Sequence, residues 1–393
     1  MGKLSEREER VLVILISIFL FFLGVHRGGS QLVANDIAEL YGIGVEGVGI
    51  FASLQHIPPL FGPILAGIVA DKIGKKPVVT TFIFVFAAGC VVCGLSNALN
   101  VFLVGMFIFA LGSTVSEMMV TATLSDVNIE KSAQYINMSQ FMFSMGAVVG
   151  PLLVEFFSER AGADWRFPFA LGFASFVVMG VVLLIAKFPA AKRTAADALE
   201  GDKPVLDQKV DFSFVTPLLV CLAIAILLYI GMETGYGNFI DSVMIAKNST
   251  EKISALTLSA FWLGMALCRL VFGFITYKPG QMLRVCFAVC VVFLIAITII
   301  PAGIVSVGIS FIIGAAYGPI WCIIQAVAAA DSKGNSGKAI GLLSIASGIG
   351  GIVLPTAIGK LANAVRIENA LYVLAAASLL GCVICFTVKD EKR

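Results

Sequence analysis

The sequence predicts an all-α membrane protein of twelve transmembrane helices arranged as two pseudo-symmetric bundles of six. Three observations carry that expectation. Of the 393 residues, 59% are hydrophobic and only 13% charged, with a mean hydropathy of +0.98, which fits a polytopic membrane protein and no soluble globular class. The apolar residues fall into twelve runs, most of them at least the roughly 20 residues needed to cross a bilayer. Patterns in the first half also recur in the second at shifts of 204 and 206 positions.

In order, the runs are 11–33, 44–70, 76–98, 100–123, 135–157 and 165–188, then 213–245, 253–277, 282–300, 303–328, 337–363 and 368–388. The charged opening, Met1 to Arg10, leads into the first run with no small-residue cleavage site, so a first transmembrane helix is expected and not a removable signal. The sustained polar stretch lies between the sixth and seventh runs and includes Lys203-Pro204. It divides the chain into an N-terminal bundle, 1–188, a linker, 189–212, and a C-terminal bundle, 213–393. Lys and Arg set the topology: with both termini on one side, that side holds nineteen of the 27 and the other side six. The asymmetry places both termini in the cytoplasm, with the bacterial inner membrane as the expected location.

The turn between the second and third runs organises the chain. It runs from Gly62 through Gly67, Asp71, Lys72 and Gly74 to Lys75 and Lys76. Gly62 and Gly67 allow close helix approach, Asp71 sits where hydrocarbon gives way to water, and Gly74 permits the turn. A degenerate copy recurs from Leu267 through Arg269 to Gly280, and Ser144 to Pro151 is echoed by Gly348 to Pro355. The pattern G-x-x-x-D-x-x-G-x-K resembles the loop signature between the second and third helices of the major facilitator superfamily, a group of secondary transporters. The resemblance implies paired six-helix repeats with the substrate site between them near the midplane, working by alternating access. It also implies a gating role for Gly67, Asp71, Gly74 and Lys75, with Asp71 capping a neighbouring helix in the outward-facing state. Arg269 is expected near the cytoplasmic end of its helix, bonding helix-end carbonyls of the opposite half.

A charge at membrane depth costs at least about 2.5–3.5 kcal/mol, so each needs a partner or a wet cavity. Helix 1 carries His26 and Arg27, with Gln31 one turn further. Two readings of Arg27 stand: a cavity cation holding an anionic group or an acidic helix, or an outer-end side chain reaching headgroups. Helix 4 carries Glu117 with Thr114 and Thr121 on its face. A carboxyl group in low-dielectric surroundings can exchange protons near neutral pH, as proton coupling requires; the competing reading is a static ion pair with Arg27. Helix 5 presents Asn137, Gln140 and Ser144 as a stripe able to bond hydroxyls or to join helices. Helix 7 offers Glu233 between Tyr229 and Tyr236, then Asn238, and its Asp241 is expected near the outer surface. Helix 10 offers Tyr317, Trp321 and Gln325 around a Gly318-Pro319 kink. An indole beside an amide suits a sugar ring, and packing against lipid is the alternative for Trp321.

Glu117 followed by Asn137-Met-Ser-Gln140 and Ser144-Met-Gly146, together with Tyr229–Asn238 and Phe261–Arg269, is similar to the fucose and glucose permease branch of the superfamily. The resemblance implies proton coupling and sugar binding at the matching acid, Asn and Gln. One departure matters: where that branch carries an additional acid in helix 1, this chain has His26-Arg27, similar to the organic-anion symporters. The expected proton-coupling set is Glu117, Arg27, His26 and Glu233. The expected substrate set is Gln31, Asn137, Gln140, Tyr236, Asn238, Tyr317, Trp321 and Gln325. The expected cargo is a monosaccharide or similar polar solute moved with protons, with an organic anion held by Arg27 as the alternative and drug efflux as a third reading.

No phosphate-binding Gly-Lys-Ser/Thr loop, metal-spaced cluster or nucleophile elbow occurs in the sequence. No cofactor, metal, nucleic acid or enzymatic activity is expected. The nine cysteines lie in or beside apolar segments and read as packing residues. The expected partners are the solute, the coupling proton and the bilayer, and the expected assembly is a monomer.

Overall fold

The computed structural model describes residues 4–128, 131–189, 215–272, 275, 277–332 and 336–390, and among them it contains helices and no strands. The helices are α1 (Glu6–Leu32), α2 (Ala34–Leu40), α3 (Gly44–Leu54), α4 (Gly62–Ile73), α5 (Lys75–Gly94), α6 (Leu99–Val127), α7 (Ser132–Ala161) and α8 (Phe167–Ile185). They continue as α9 (Pro217–Ala246), α10 (Glu251–Phe272), α11 (Pro279–Ile299), α12 (Ile304–Asp331), α13 (Ser336–Ala362), α14 (Ile367–Ala370) and α15 (Tyr372–Ile384). Eleven spans among the described residues are long and apolar enough to cross a membrane, and the bent pair α3–α4 supplies a twelfth. The expected linker 189–212 lies, apart from Pro189, outside the described residues.

Two elements differ from the sequence expectation. The second span is not one helix: it breaks around a 3-10 turn at Pro58–Leu60 and bends by 41°. Consecutive prolines remove two backbone donors and crowd the preceding turn, so the α-helix cannot run through. The stretch after the first run, left outside the twelve spans, forms the short helix α2. It closes where Gly42 and Gly44 adopt positive φ, which glycine does without strain.

The two halves of the chain pack by the same scheme. Helix α1 lies on α7 as α9 lies on α13, and α5 contacts α6 and α8 as α11 contacts α12 and α15. Small residues make the closest of these crossings. A Cβ on Gly146 would fall 1.9 Å from the Phe21 carbonyl oxygen, and one on Gly350 would fall 2.0 Å from that of Leu227. Gly146 and Gly350 are related by the 204-residue shift, and Phe21 and Leu227 by the 206-residue shift. Gly62 and Gly67 behave otherwise: a Cβ on Gly62 would make ordinary contact with Val115 at 3.4 Å, and one on Gly67 would meet nothing within 4 Å. The close approach expected there is not made in this conformation. Gly74 does turn the chain from α4 into α5, with φ of 89°.

With the bent pair counted as one span, the start of α1 and the end of α15 lie at the same end of the bundle, here called the terminal end. The two halves meet along two seams, α3 against α13 and α7 against α10, and these bring the interior polar groups together.

Candidate functional site

Four charged side chains converge where α1, α6, α9 and α10 face one another. Arg27, on α1, donates from Nη1 to Gln55 Oε1 at 2.6 Å and lies within electrostatic range of Glu117 and Glu233. Glu117, on α6, has Gln140 within hydrogen-bonding reach and Arg27, Arg269 and Glu233 as charged neighbours. Glu233, on α9, accepts a hydrogen bond from the Tyr229 hydroxyl and stands 3.9 Å from Arg269 Nη2. Arg269, on α10, also donates from Nη1 to Ser144 Oγ across the seam at 3.2 Å and from Nε to the Gly318 carbonyl at 3.3 Å. The two guanidinium groups and two carboxylates cancel in charge, so each is held in low dielectric by its neighbours.

Gln140 and the rings of Tyr229, Tyr317 and Trp321 border this cluster, whereas no hydrogen bond among the described residues ties Asn137 or Gln325 to it. Gln140 is half-buried and Asn137, one turn nearer the terminal end, is exposed. Trp321 and Gln325 are half-buried, and the Trp321 ring lies 6.4 Å from that of Tyr229. Tyr317 is fully buried beside Tyr229 at 5.9 Å, and its hydroxyl has no hydrogen-bond partner among the described residues.

Other expected site residues are placed apart from the charges. His26 is enclosed by the rings of Phe86, Phe109 and Phe169 at 4.9, 5.1 and 5.7 Å, with Cys90 Sγ at 3.7 Å. Successive residues on a helix point about 100° apart, so Arg27 can face the cluster only if His26 faces the core. The Tyr236 hydroxyl donates to Ser310 Oγ at 2.8 Å, and Asn238 Nδ2 to the Thr234 carbonyl at 2.8 Å; both side chains are enclosed. Gln31 Oε1 accepts from Trp262 Nε1 at 3.1 Å, joining the halves on the distal side of the cluster.

That distal side is sealed. Asn35 Nδ2 donates to Asp241 Oδ2 at 2.7 Å, Ser242 Oγ donates to Asn35 Oδ1 at 2.7 Å, and Ser254 bonds the other Asp241 oxygen. Ser53 and Thr356 share a hydrogen bond at 2.7 Å, and Asn363 donates to Glu46 at 2.6 Å. Asp241 lies close to the distal end of α9 yet is buried at 5% exposure, because α2 folds over it. Toward the terminal end the bonds between described residues stay within one half: Lys75 with Asp126 at 2.6 Å, Lys187 with Glu8 at 2.5 Å, and Thr216 with Asp331. Among the described residues, the hydrogen bonds that join the two halves beyond the cluster therefore gather on its distal side. Asp71 occupies the last turn of α4, and its expected capping contact lies outside the described residues.

Arg269 does lie in the last turn of α10, but across the seam it bonds the Ser144 hydroxyl and its carbonyl partner, Gly318, belongs to its own half, so the expected helix-end carbonyls of the opposite half are not its partners. The sequence reading missed Gln55 and Asn35. Gln55 precedes the helix-breaking Pro58-Pro59, a pointer to irregular backbone lining a cavity. Asn35 had no signal, lying beyond the apolar run.

The Major Facilitator Superfamily profile matches residues 14–334. The chain is 21% identical over 346 residues to the glucose/mannose transporter GlcP of Bacillus subtilis, covering 87% of this chain and 85% of that one. It is 23% identical over 322 residues to a glucose/galactose transporter of Brucella abortus, covering 78% and 76%. Among solved structures it resembles the fucose:proton symporter of Escherichia coli with a TM-score of 0.63 at 17% identity, over 98% of this chain and all of the other. A family model spanning most of the chain, on a helical fold shared with a solved transporter, makes the protein a member of the Major Facilitator Superfamily of membrane transporters.

Proposed function

We propose that the protein is a proton-coupled symporter for a neutral monosaccharide or sugar-like solute. The observation that carries this reading is the charge balance of the central cluster: Arg27, Glu117, Glu233 and Arg269 neutralise one another, leaving amides, hydroxyls and aromatic faces as the remaining contacts. A net-neutral site does not select for an ionic cargo, whereas a ring with polar edges and apolar faces matches Trp321, Gln325, Asn137 and Gln140. The named relatives that transport glucose, mannose and galactose support the same class. Glu117 is the coupling carboxylate, with Gln140 and Arg27 as the partners that exchange when it gains a proton, and Glu233 with Tyr229 and Arg269 is the second coupling unit.

In this reading residues 1–188 and 213–393 are two bundles that rock about the site, joined by 189–212. The terminal end is cytoplasmic in a bacterial inner membrane, the conformation is inward-facing, and a monomer suffices. Glucose should raise the melting temperature of purified protein and bind with micromolar to millimolar affinity, whereas carboxylates should not. Stabilisation by carboxylates alone would overturn the assignment. That second reading, an organic-anion carrier, has one observation in its favour: Arg27 donates to neutral Gln55 and not directly to a carboxylate. Arg27→Gln would then raise KM for anions about tenfold or more, and sugars would not compete.

A further inference from the structure

The structure assigns a second ligand site away from the transport path. We propose that the crevice between the distal ends of α9, α11 and α14 binds the headgroup of an aminophospholipid, its phosphate on Lys247 and Arg366 and its ammonium on Glu368. The crevice has a volume of about 430 Å³ and is lined by polar groups, among them Lys247, Thr298, Arg366, Glu368 and Asn369. Glu368 is 6% exposed. One of its carboxylate oxygens accepts from Arg366 Nη2 at 2.6 Å, and the other, Oε2, is buried with no hydrogen-bond partner among the described residues. Leaving a buried charged acceptor unpaired is costly, so that oxygen points to a donor that an occupant brings.

The cations are placed to hold the opposite charge. Lys247 Nζ donates to the carbonyls of Ile297 and Ile300 at 2.6 and 2.7 Å, which fixes the ammonium at the end of α11 and leaves one of its three N–H groups. Arg366 has a side chain 75% exposed, so it can swing from Glu368 onto a phosphate without opening the fold. Two cations against one anion leave a single positive charge for the phosphate. Once Arg366 has moved, the freed carboxylate takes the ammonium in a charge-assisted bond. The surrounding wall is apolar and outward: Ile299 is 68% and Ile304 72% exposed, as acyl chains require at the level where a span meets the headgroups. All three helices belong to the last six spans, so the site does not part when the halves move against each other.

The test is native mass spectrometry of full-length protein extracted from vesicles of equal phosphatidylethanolamine and phosphatidylglycerol. Wild type should retain one phosphatidylethanolamine about tenfold over phosphatidylglycerol. Arg366→Gln, an exposed change that leaves the fold intact, should lose retention of both lipids, and Glu368→Gln should lose only the preference between them. Equal retention in wild type and Arg366→Gln, or a preference untouched by Glu368→Gln, would overturn the proposal. Displacement of the signal by millimolar inorganic phosphate would reassign the crevice to a free anion and overturn the lipid source.

Discussion

Tyr317 and Arg269 define what individual side chains contribute. The Tyr317 hydroxyl is buried without a hydrogen-bond partner among the described residues, a loss of about 1–3 kcal/mol for an unsatisfied group. Tyr317→Phe should therefore stabilise the protein by about 1 kcal/mol in thermal unfolding while raising KM for the solute several-fold. A lowered melting temperature would show that the hydroxyl has a partner here. Arg269 bonds Ser144 across the seam and stands beside Glu233. Arg269→Gln strands a buried carboxylate and should cost about 3–5 kcal/mol, seen as poor recovery from detergent, which Glu233→Gln in the same chain should partly reverse. The place of Arg269 near the end of its helix was legible in the sequence, but its partners were not, because which side chains meet it depends on how α10 packs against α7 and α12. Helical spacing singled out Glu117, Gln140 and Trp321, and the fold sets the first two beside each other and the third beside Tyr229. The enclosure of His26, Tyr236 and Asn238 could not be read from spacing, since a side chain's facing depends on which neighbours its helix meets.

At the scale of the elements, close helix crossings and the distal seal carry the mechanics. A side chain at 146 or 350 would overlap backbone oxygen, and backbone cannot yield as a flexible side chain does. Gly146→Ala and Gly350→Ala should each destabilise by about 1–3 kcal/mol or more and lower the melting temperature, whereas Gly67→Ala should be nearly neutral in this conformation. These crossings were partly visible in the sequence as the shared Gly and Pro positions of the two halves. The distal seal was not visible: Asn35 lies on a helix the hydropathy pattern did not show, and only folding brings it to Asp241, 206 residues away. Replacing Asp241 by Asn removes charge-assisted bonds worth about 1.5–3 kcal/mol together. The equilibrium should shift roughly ten- to a hundredfold toward the distally open state. Spin-label distances across the distal ends of α2 and α10 should lengthen, and an unchanged distribution would rule out a sealing role.

For the molecule as a whole, composition and the 204 to 206 shift were enough to anticipate a twelve-span protein with repeated halves, because a bilayer admits so few ways to satisfy backbone hydrogen bonds. Which end is open depends on a small free-energy difference between two packings of the same helices, and no residue pattern encodes that directly. The central claim is that one carboxylate on α6 links solute movement to protons. It is tested most directly by labelled glucose uptake into sealed proteoliposomes under an imposed proton gradient, comparing wild type with Glu117→Gln. The account predicts uphill accumulation by wild type, and in the variant no accumulation but intact glucose exchange. Undiminished accumulation by Glu117→Gln would contradict it.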